Sequence, residues 1–394
     1  MNKIHACVRY LVALGFCAMI AVLVVMNTAL VIPPIKACVK GETSFEAMTE
    51  KVASAYLVDA FRGKFRLLDL NGLFARLTGR RDYNGVTLLK NGMLGEGSGT
   101  FRKEKDHRPL ANALTGFSKY LAEMDIPFLY VQAPYKMDIN GKLLPDGLTD
   151  YWNMAIDELM AALERENVHM LDLRAPLTSD IETTERMFYR TDHHWTPDGA
   201  FKAFGMLMEH LRDNFYPELD VTYTDPQLWE RHQKDNWFLG SQGKRVGSCF
   251  TGTDPLIWYT PKFETNMTCD IPKYNRHLEG DYVAANIRQQ YIERCDYYAL
   301  NAYCVYIGGD YPIVIHQNPE APNRKRILIL KDSFVLPLQT FMSTAFTEVD
   351  VIDPRHYKES IAEYCRQNRP DIVLMFVNGM ALANQSYYEL GVPS

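Results

Sequence analysis

Two segments of this sequence hold the residue types that do chemistry. One is Tyr189-Arg190-Thr191-Asp192-His193-His194-Trp195-Thr196; the other, far along the chain, is Lys331-Asp332-Ser333-Phe334. The first places a carboxylate two residues before an imidazole, and the second places a serine between an apolar run and a helical pattern. Serine, histidine and aspartate are the parts of an activated oxygen nucleophile: the imidazole takes the hydroxyl proton, and the carboxylate fixes its tautomer and steadies its protonated form. Ser333, His194 and Asp192 are the candidate catalytic residues, and acyl transfer is the reaction they point to. Asp332 and Ser333 are also good helix N-caps, which is the plain structural reading of the same turn. Asp192, His193 and His194 also read as a metal site; this is weaker, since neighbouring residues rarely aim at one ion and no further ligand cluster accompanies them. No cofactor is expected.

Around this core lie candidates for stabilising an oxyanion or contacting substrate. The side-chain amide of Asn378 and the backbone N–H groups after Ser333, beginning at Phe334, are the kind of donors an oxyanion needs. Tyr189 and Arg190 are candidate pocket walls. Lys136, in Pro134-Tyr135-Lys136, and Arg245, in the glycine-rich Gly240-Ser241-Gln242-Gly243-Lys244-Arg245, are candidates for meeting an anionic group.

The elements that must position these residues alternate. Helical periodicity over 109–124 is followed by an apolar strand at 127–132, then a helix at 151–166 and a strand at 168–173. Pro197 suits the first turn of a helix running to Phe215. After a long interruption the pattern resumes with a strand at 326–330, a helix at 335–345, a strand at 348–352, a helix at 359–368 and a strand at 371–377. Strands apolar on both faces and alternating with helices predict a parallel sheet covered on both sides. Sites in such sheets gather beyond the C-terminal strand ends, where Ser333, Asn378 and Lys136 all fall. Asn84-Gly85 and Asn91-Gly92 predict tight turns of a small hairpin. The interruption, 217–322, is rich in tyrosine and glycine and reads as an irregular or β insertion. It holds Cys249, Cys269, Cys295 and Cys304 of the eight cysteines; in an oxidising compartment this predicts disulfide stapling.

The N-terminus sets the compartment. No charged residue occurs between Tyr10 and Ile35, and Leu11–Ile32 is almost wholly apolar, long enough to cross a bilayer. Lys3 and Arg9 precede it, so the positive-inside rule leaves the N-terminus cytoplasmic and the body outside. The run exceeds the core of a cleavable signal, and Asn27-Thr28-Ala29 and Ile35-Lys36-Ala37-Cys38 are poor processing sites, so a retained, single-pass signal anchor is expected. Net charge is −6, from 42 basic and 48 acidic residues, without the basic stripe that nucleic-acid binding requires. The expected organisation is a cytoplasmic stub and anchor (1–40), a helical lead-in (41–80), the catalytic domain in two parts (81–216 and 323–394), and the insertion (217–322).

Residues 189–196 resemble the signature of the DHHW protein family, which is similar to the SGNH-hydrolase-like domain of the alginate O-acetylation proteins of the AlgX/AlgJ type. Further pieces of that resemblance follow in order: Asn84-Gly85-Val86 with Asn91-Gly92-Met93-Leu94, Ala133-Pro134-Tyr135-Lys136, Phe238-Leu239-Gly240-Ser241 and Asp332-Ser333-Phe334. The resemblance implies a flavodoxin-like three-layer α/β/α sandwich, circularly permuted relative to ordinary SGNH esterases. It implies Ser333 as nucleophile, His194 as general acid/base and Asp192 as its orienting carboxylate. It also implies an extracytoplasmic O-acetyltransferase or acetylesterase acting on cell-surface polysaccharide, with a polytopic membrane acyl-donor protein as partner. Two positions depart from the pattern: His193 stands where the alginate-type proteins have threonine, and Lys331 where glycine is usual. The competing expectation is a catalytically silent glycan-binding or scaffold protein of an envelope assembly. The two part on whether His194 reaches Ser333 within hydrogen-bond range.

Overall fold

The computed structural model describes residues 2–57 and 61–393. The chain forms two compact units, Met1–Phe74 and Ala75–Ser394. In the first, the uncharged N-terminal run lies within one helix, Asn2–Val39, long and apolar enough over Cys7–Val39 to cross a membrane. At Asn27 this helix is bonded to a later segment of its own chain. The buried Asn27 amide donates to Arg62 O (3.2 Å) and its carbonyl accepts Arg62 N–H (2.8 Å). Residues 7–26 alone, at 1.5 Å rise per residue, reach about 30 Å, the thickness of a bilayer's hydrocarbon core.

The second unit is built on one eight-stranded sheet. Its strands are β1 (Phe128–Ala133), β2 (His169–Asp172), β3 (Met267–Ile271), β4 (Arg276–Gly280), β5 (Ile313–Gln317), β6 (Asn323–Lys331), β7 (Phe346–Ile352) and β8 (Ile372–Asn378), in the order β2-β1-β8-β6-β7-β5-β3-β4. The first five in that order are mutually parallel. They are the near-continuous apolar runs of the sequence, and every residue of β1 and β8 is buried, as covering on both faces demands. Helix Arg108–Ala122 packs with Tyr151–Arg165 and Ile361–Asn368, while Val335–Ala345 packs with Pro197–Asn214. The fold is a three-layer α/β/α sandwich.

Its permutation can be read from the strand order. Counting from β6, the strand that ends at the serine, the parallel strands run β6, β7, β8, β1, β2, and their spatial order becomes 2-1-3-4-5. That is the flavodoxin order, whose ligand crevice opens at the switch point between strands 1 and 3. Here the switch point lies between β6 and β8, the strands that deliver Ser333 and Asn378.

The interruption at 217–322 belongs to the same compact unit as the sandwich. Strands β3, β4 and β5 extend the sheet antiparallel from β7. A hairpin of Trp229–Phe238 and Asp254–Pro261 sets Trp229 and Tyr259 against Phe201 and Phe341 of the helical layer. The expected disulfide staple is not formed: all eight cysteines are free. Strand pairing and aromatic packing fasten this segment instead, and Cys269 sits reduced and buried within β3.

Candidate active site

The segment 189–196 is a tight loop, closed at its base by pairing of Phe188 with Trp195 and by Thr196 N–H donating to Met187 O (2.7 Å). Thr196 then caps the next helix through Gly199 N–H (3.3 Å), with Pro197 in the first turn. The loop has little regular structure, so its backbone must find partners elsewhere. Lys136 Nζ, buried behind it, donates to Tyr189 O and Arg190 O (both 3.1 Å), to Asp192 O and to Gln242 Oε1 (2.7 Å). Asp254 accepts Arg190 N–H (2.8 Å), Thr191 N–H (2.7 Å) and the Thr191 hydroxyl (2.5 Å). The loop is thus held from both sides by a buried cation and a buried carboxylate.

So held, the loop aims Asp192 and His194. Asp192 Oδ1 accepts His194 N–H (3.0 Å) and lies 2.5 Å from Nδ1 of the same ring. Asp192 Oδ2 accepts Ser241 N–H (2.6 Å). Burial raises this carboxyl, but the two neighbouring imidazoles and the bonds from His194 and Ser241 outweigh it and hold it well below the usual carboxylate range. His194 Nε2 lies 2.7 Å from Ser333 Oγ. An Nδ1-protonated imidazole between a carboxylate and a hydroxyl can accept the hydroxyl proton. Gly240 is required here by proximity: a Cβ on it would fall 2.2 Å from Asp192 Cβ and 2.5 Å from its Cα.

Ser333 follows β6 in a turn shaped by Asp332. The Asp332 carboxylate accepts Phe334 N–H (2.9 Å) through one oxygen and Asn378 N–H (2.7 Å) through the other, stitching together the ends of β6 and β8. Burial raises the Asp332 carboxyl, opposed by these bonds and by the charge of Arg355. The N–H of Phe334 is therefore spent. The N–H of Ser333 and the Nδ2 of Asn378 donate to no protein atom among the described residues, while Asn378 Oδ1 accepts Met380 N–H (2.7 Å). A cleft bordered by Tyr135, Trp152, His193, Phe334, Asn378 and Met380 opens where these strands end.

Beneath the serine turn, Lys331 is fully buried. Its ammonium meets Asp310 and lies 3.6 Å from Asp353, and Arg355 bridges the same two carboxylates at 3.1 and 2.6 Å. Where the resembled pattern has glycine, this chain has one cation of a charge-balanced quartet in which Lys331 and Asp353 are buried and Asp310 and Arg355 partly exposed.

The other expected contact residues are placed differently from the sequence reading. Lys136 borders the cleft, but its three protons are divided among three loop carbonyls and Gln242 Oε1; burial pushes it down to about 8, leaving it charged at neutral pH. Tyr189 is core, edge-on to Phe238 at 4.9 Å. Arg190 is exposed on the far side of the loop, in a groove shared with Arg231 and Asp198. Arg245 donates to Asn84 O (3.1 Å) and Gly85 O, bracing a small three-stranded sheet of Asp82–Tyr83, Val86–Leu88 and Leu94–Glu96 whose Asn84-Gly85 turn has both φ positive. The Phe334 ring is buried against His194 and Trp195 (5.3 and 5.4 Å). Asp192, His193 and His194 bring their ligand atoms within 4.8 Å of one another, but these atoms are engaged with each other, with Ser241 and with Ser333.

The site is thus a serine at the switch point of a flavodoxin-ordered sandwich, beside a histidine and an aspartate. The sequence matches the family model of the SGNH hydrolase-like domain, acetyltransferase AlgX, over residues 99–234, and that of the DHHW protein over residues 171–352. The chain is thus similar to the DHHW family and to the AlgX SGNH hydrolase-like domain. Among solved structures, Bacillus cereus PatB1 with a sulfonyl adduct aligns with a TM-score of 0.62 at 20% identity, covering 77% of this chain and 97% of that one. A DHHW family protein from Eubacterium siraeum DSM 15702 aligns with a TM-score of 0.61 at 19% identity, covering 79% and 98%. At these identities the likeness establishes the fold. A comparison with curated proteins found no match.

Sequence reading missed Asp254, Asp332 and Gln242 as parts of the site. Asp332 adjoins the nucleophile candidate, and the demand of an irregular loop for buried partners is a signal for it. The other two lie in the interruption, where no periodicity locates them.

Proposed function

We propose that this chain is a serine O-acyltransferase, with acetyl as the transferred group, anchored in the membrane by its N-terminal helix and modifying cell-surface polysaccharide on the extracytoplasmic side. The observation that carries this reading is the single imidazole spanning Asp192 Oδ1 (2.5 Å) and Ser333 Oγ (2.7 Å). The match to an acetyltransferase family model supports the acyl group, and Lys3 and Arg9 ahead of the apolar helix support the orientation. A polytopic membrane protein that delivers the acyl group is the partner expected for a donor made on the other side of the bilayer.

In the first half-reaction His194 Nε2 takes the Ser333 proton as Oγ bonds to the acyl carbon, and the carbonyl electrons move onto oxygen. The free Ser333 N–H and Asn378 Nδ2 are the donors available to that oxyanion. Collapse breaks the bond to the donor's oxygen, which receives the proton from His194. The second half repeats this in reverse, with a sugar hydroxyl giving its proton to His194 and taking the acyl group. Asp192 keeps the tautomer correct throughout and stays ionised.

The test is turnover of 4-nitrophenyl acetate by the full chain in detergent, with and without a chito-oligosaccharide acceptor, beside Ser333→Ala. Nitrophenol release lost in the variant, with acetylated oligosaccharide formed by the wild type, is the expected result. Acetate as the only product assigns an esterase, and equal rates in both proteins refute the serine mechanism.

A further inference from the structure

We propose that Tyr303, contributed by the segment 217–322, is a positioning residue for the His194–Ser333 pair, presenting its ring face to the imidazole that must become charged during turnover. This rests on the function proposed above and adds a role for that segment.

In-plane hydrogen bonds to Asp192 and Ser333 fix the two ends of the His194 ring but not its tilt about the line joining them. Its two faces are covered. Tyr303 lies parallel to it, centroids 3.9 Å apart and planes 11° apart, and His193 covers the other face at 3.8 Å and 37°. Tyr303 is buried, and its hydroxyl donates to Phe334 O (3.3 Å), a carbonyl that also accepts Trp195 Nε1–H (2.9 Å). One side chain therefore touches the base and the backbone just after the nucleophile. Tyr303 is itself held by a turn in which Asn301 Oδ1 accepts its N–H (3.3 Å) and by edge-on contact with Tyr189. The phenol stays neutral, because burial and nearby carboxylates raise it well above its ordinary value.

The stacking has an electrostatic consequence. A cation over an aromatic face is attracted to the ring quadrupole, more strongly when water is excluded. When His194 holds the serine proton, Tyr303 offers that face. His193 adds no opposing charge, since burial and then the charges of His194, Lys136 and Arg355 push it down to about 3, despite Asp192. Of the carboxylates near the ring, Asp192 lies on Nδ1 and the carboxyl of Asp310 senses His194. Tyr303 thus favours the protonated imidazole of the transition state over the neutral one of the resting state, and a term of that kind appears in kcat rather than KM.

The experiment replaces Tyr303 in the full chain by phenylalanine and by trifluorophenylalanine, which keep the ring's shape while fluorination weakens its negative face. Expected are a loss of at most about threefold in kcat for Tyr303→Phe and a further drop of about tenfold on fluorination, with KM constant. Equal kcat for phenylalanine and its fluorinated analogue would overturn the proposal, since a purely structural ring would be indifferent to fluorination. A collapse of kcat already at Tyr303→Phe would also overturn it, assigning the role to the hydroxyl. Ser333→Ala is run alongside: if it keeps wild-type turnover, the proposed function itself fails, whatever the Tyr303 series shows.

Discussion

Gly240 has an ordinary backbone φ of −73°, so its conformation needs no glycine; the space beside it does. An alanine there would put a methyl carbon 2.2 Å from Asp192 Cβ, 2.5 Å from Asp192 Cα and 2.6 Å from Oδ2. Real contacts at van der Waals distance are roughly 3.5–4.0 Å, so Asp192 and the 240–241 backbone must part by about 1 Å or more. Two bonds are set by that distance: Ser241 N–H to Asp192 Oδ2 at 2.6 Å, and Gly240 N–H to Thr191 Oγ1 at 2.8 Å. The same displacement pulls the carboxylate from His194 Nδ1. Misplacing a catalytic group by about 1 Å costs on the order of 10²-fold, and losing the function of a triad aspartate costs up to about 10⁴-fold. Gly240→Ala is therefore predicted to lower kcat for 4-nitrophenyl acetate by about 10² to 10⁴, with little change in KM. Overpacking adds about 1–3 kcal/mol of destabilisation, so circular dichroism and a thermal melt accompany the kinetics. A folded Gly240→Ala protein with more than half the wild-type kcat would refute the reasoning, since it would mean that Asp192 can move without consequence.

Two further predictions follow from other parts of the site. Asn378→Ala removes the free Nδ2 and the cap on Met380 N–H; kcat should fall about 10²- to 10³-fold, and an unchanged kcat would strike Asn378 from the oxyanion site. Lys331→Met leaves Asp310 and Asp353 with Arg355 alone and should cost about 3–5 kcal/mol in urea unfolding at neutral pH. Burial raises Asp310, but Lys331 and Arg355 outweigh it and hold the carboxyl at about 2, against 3.8 ordinarily. A depressed carboxyl stabilises the fold fully above its unfolded value, here by ~2 kcal/mol, and that contribution is lost as pH falls from about 4 to 2. The difference between variant and wild type should accordingly shrink over that range; a difference that does not depend on pH would contradict the charge assignment.

The sandwich was legible because its strands are apolar on both faces and its helices are periodic. The runs ending at Ala133, Lys331 and Asn378 announced a parallel sheet and the strand ends where chemistry belongs. Ser333, His194 and Asp192 could be named because their residue types are specific and one of them follows such a strand. Lys136 and Arg245 look like ligands for an anion when only their charge is visible, yet their partners are backbone carbonyls of irregular segments, which a one-dimensional pattern does not display. The cysteines misled for a related reason: β3 is an inner strand of an extension whose pairing partners, β4 and β5, are not recognisable as such from short alternating stretches. Tyr303 is one tyrosine among the many of the interruption, and only the fold shows which of them reaches His194.

The most direct test of the central claim is intact-mass and peptide analysis of the full chain, quenched with acid during turnover of 4-nitrophenyl acetate without acceptor. One acetyl group on the peptide containing Ser333, removed on adding an oligosaccharide acceptor and absent from Ser333→Ala, is the predicted result. Steady turnover with no acetylated serine, or acetyl carried on another residue that Ser333→Ala retains, would contradict it.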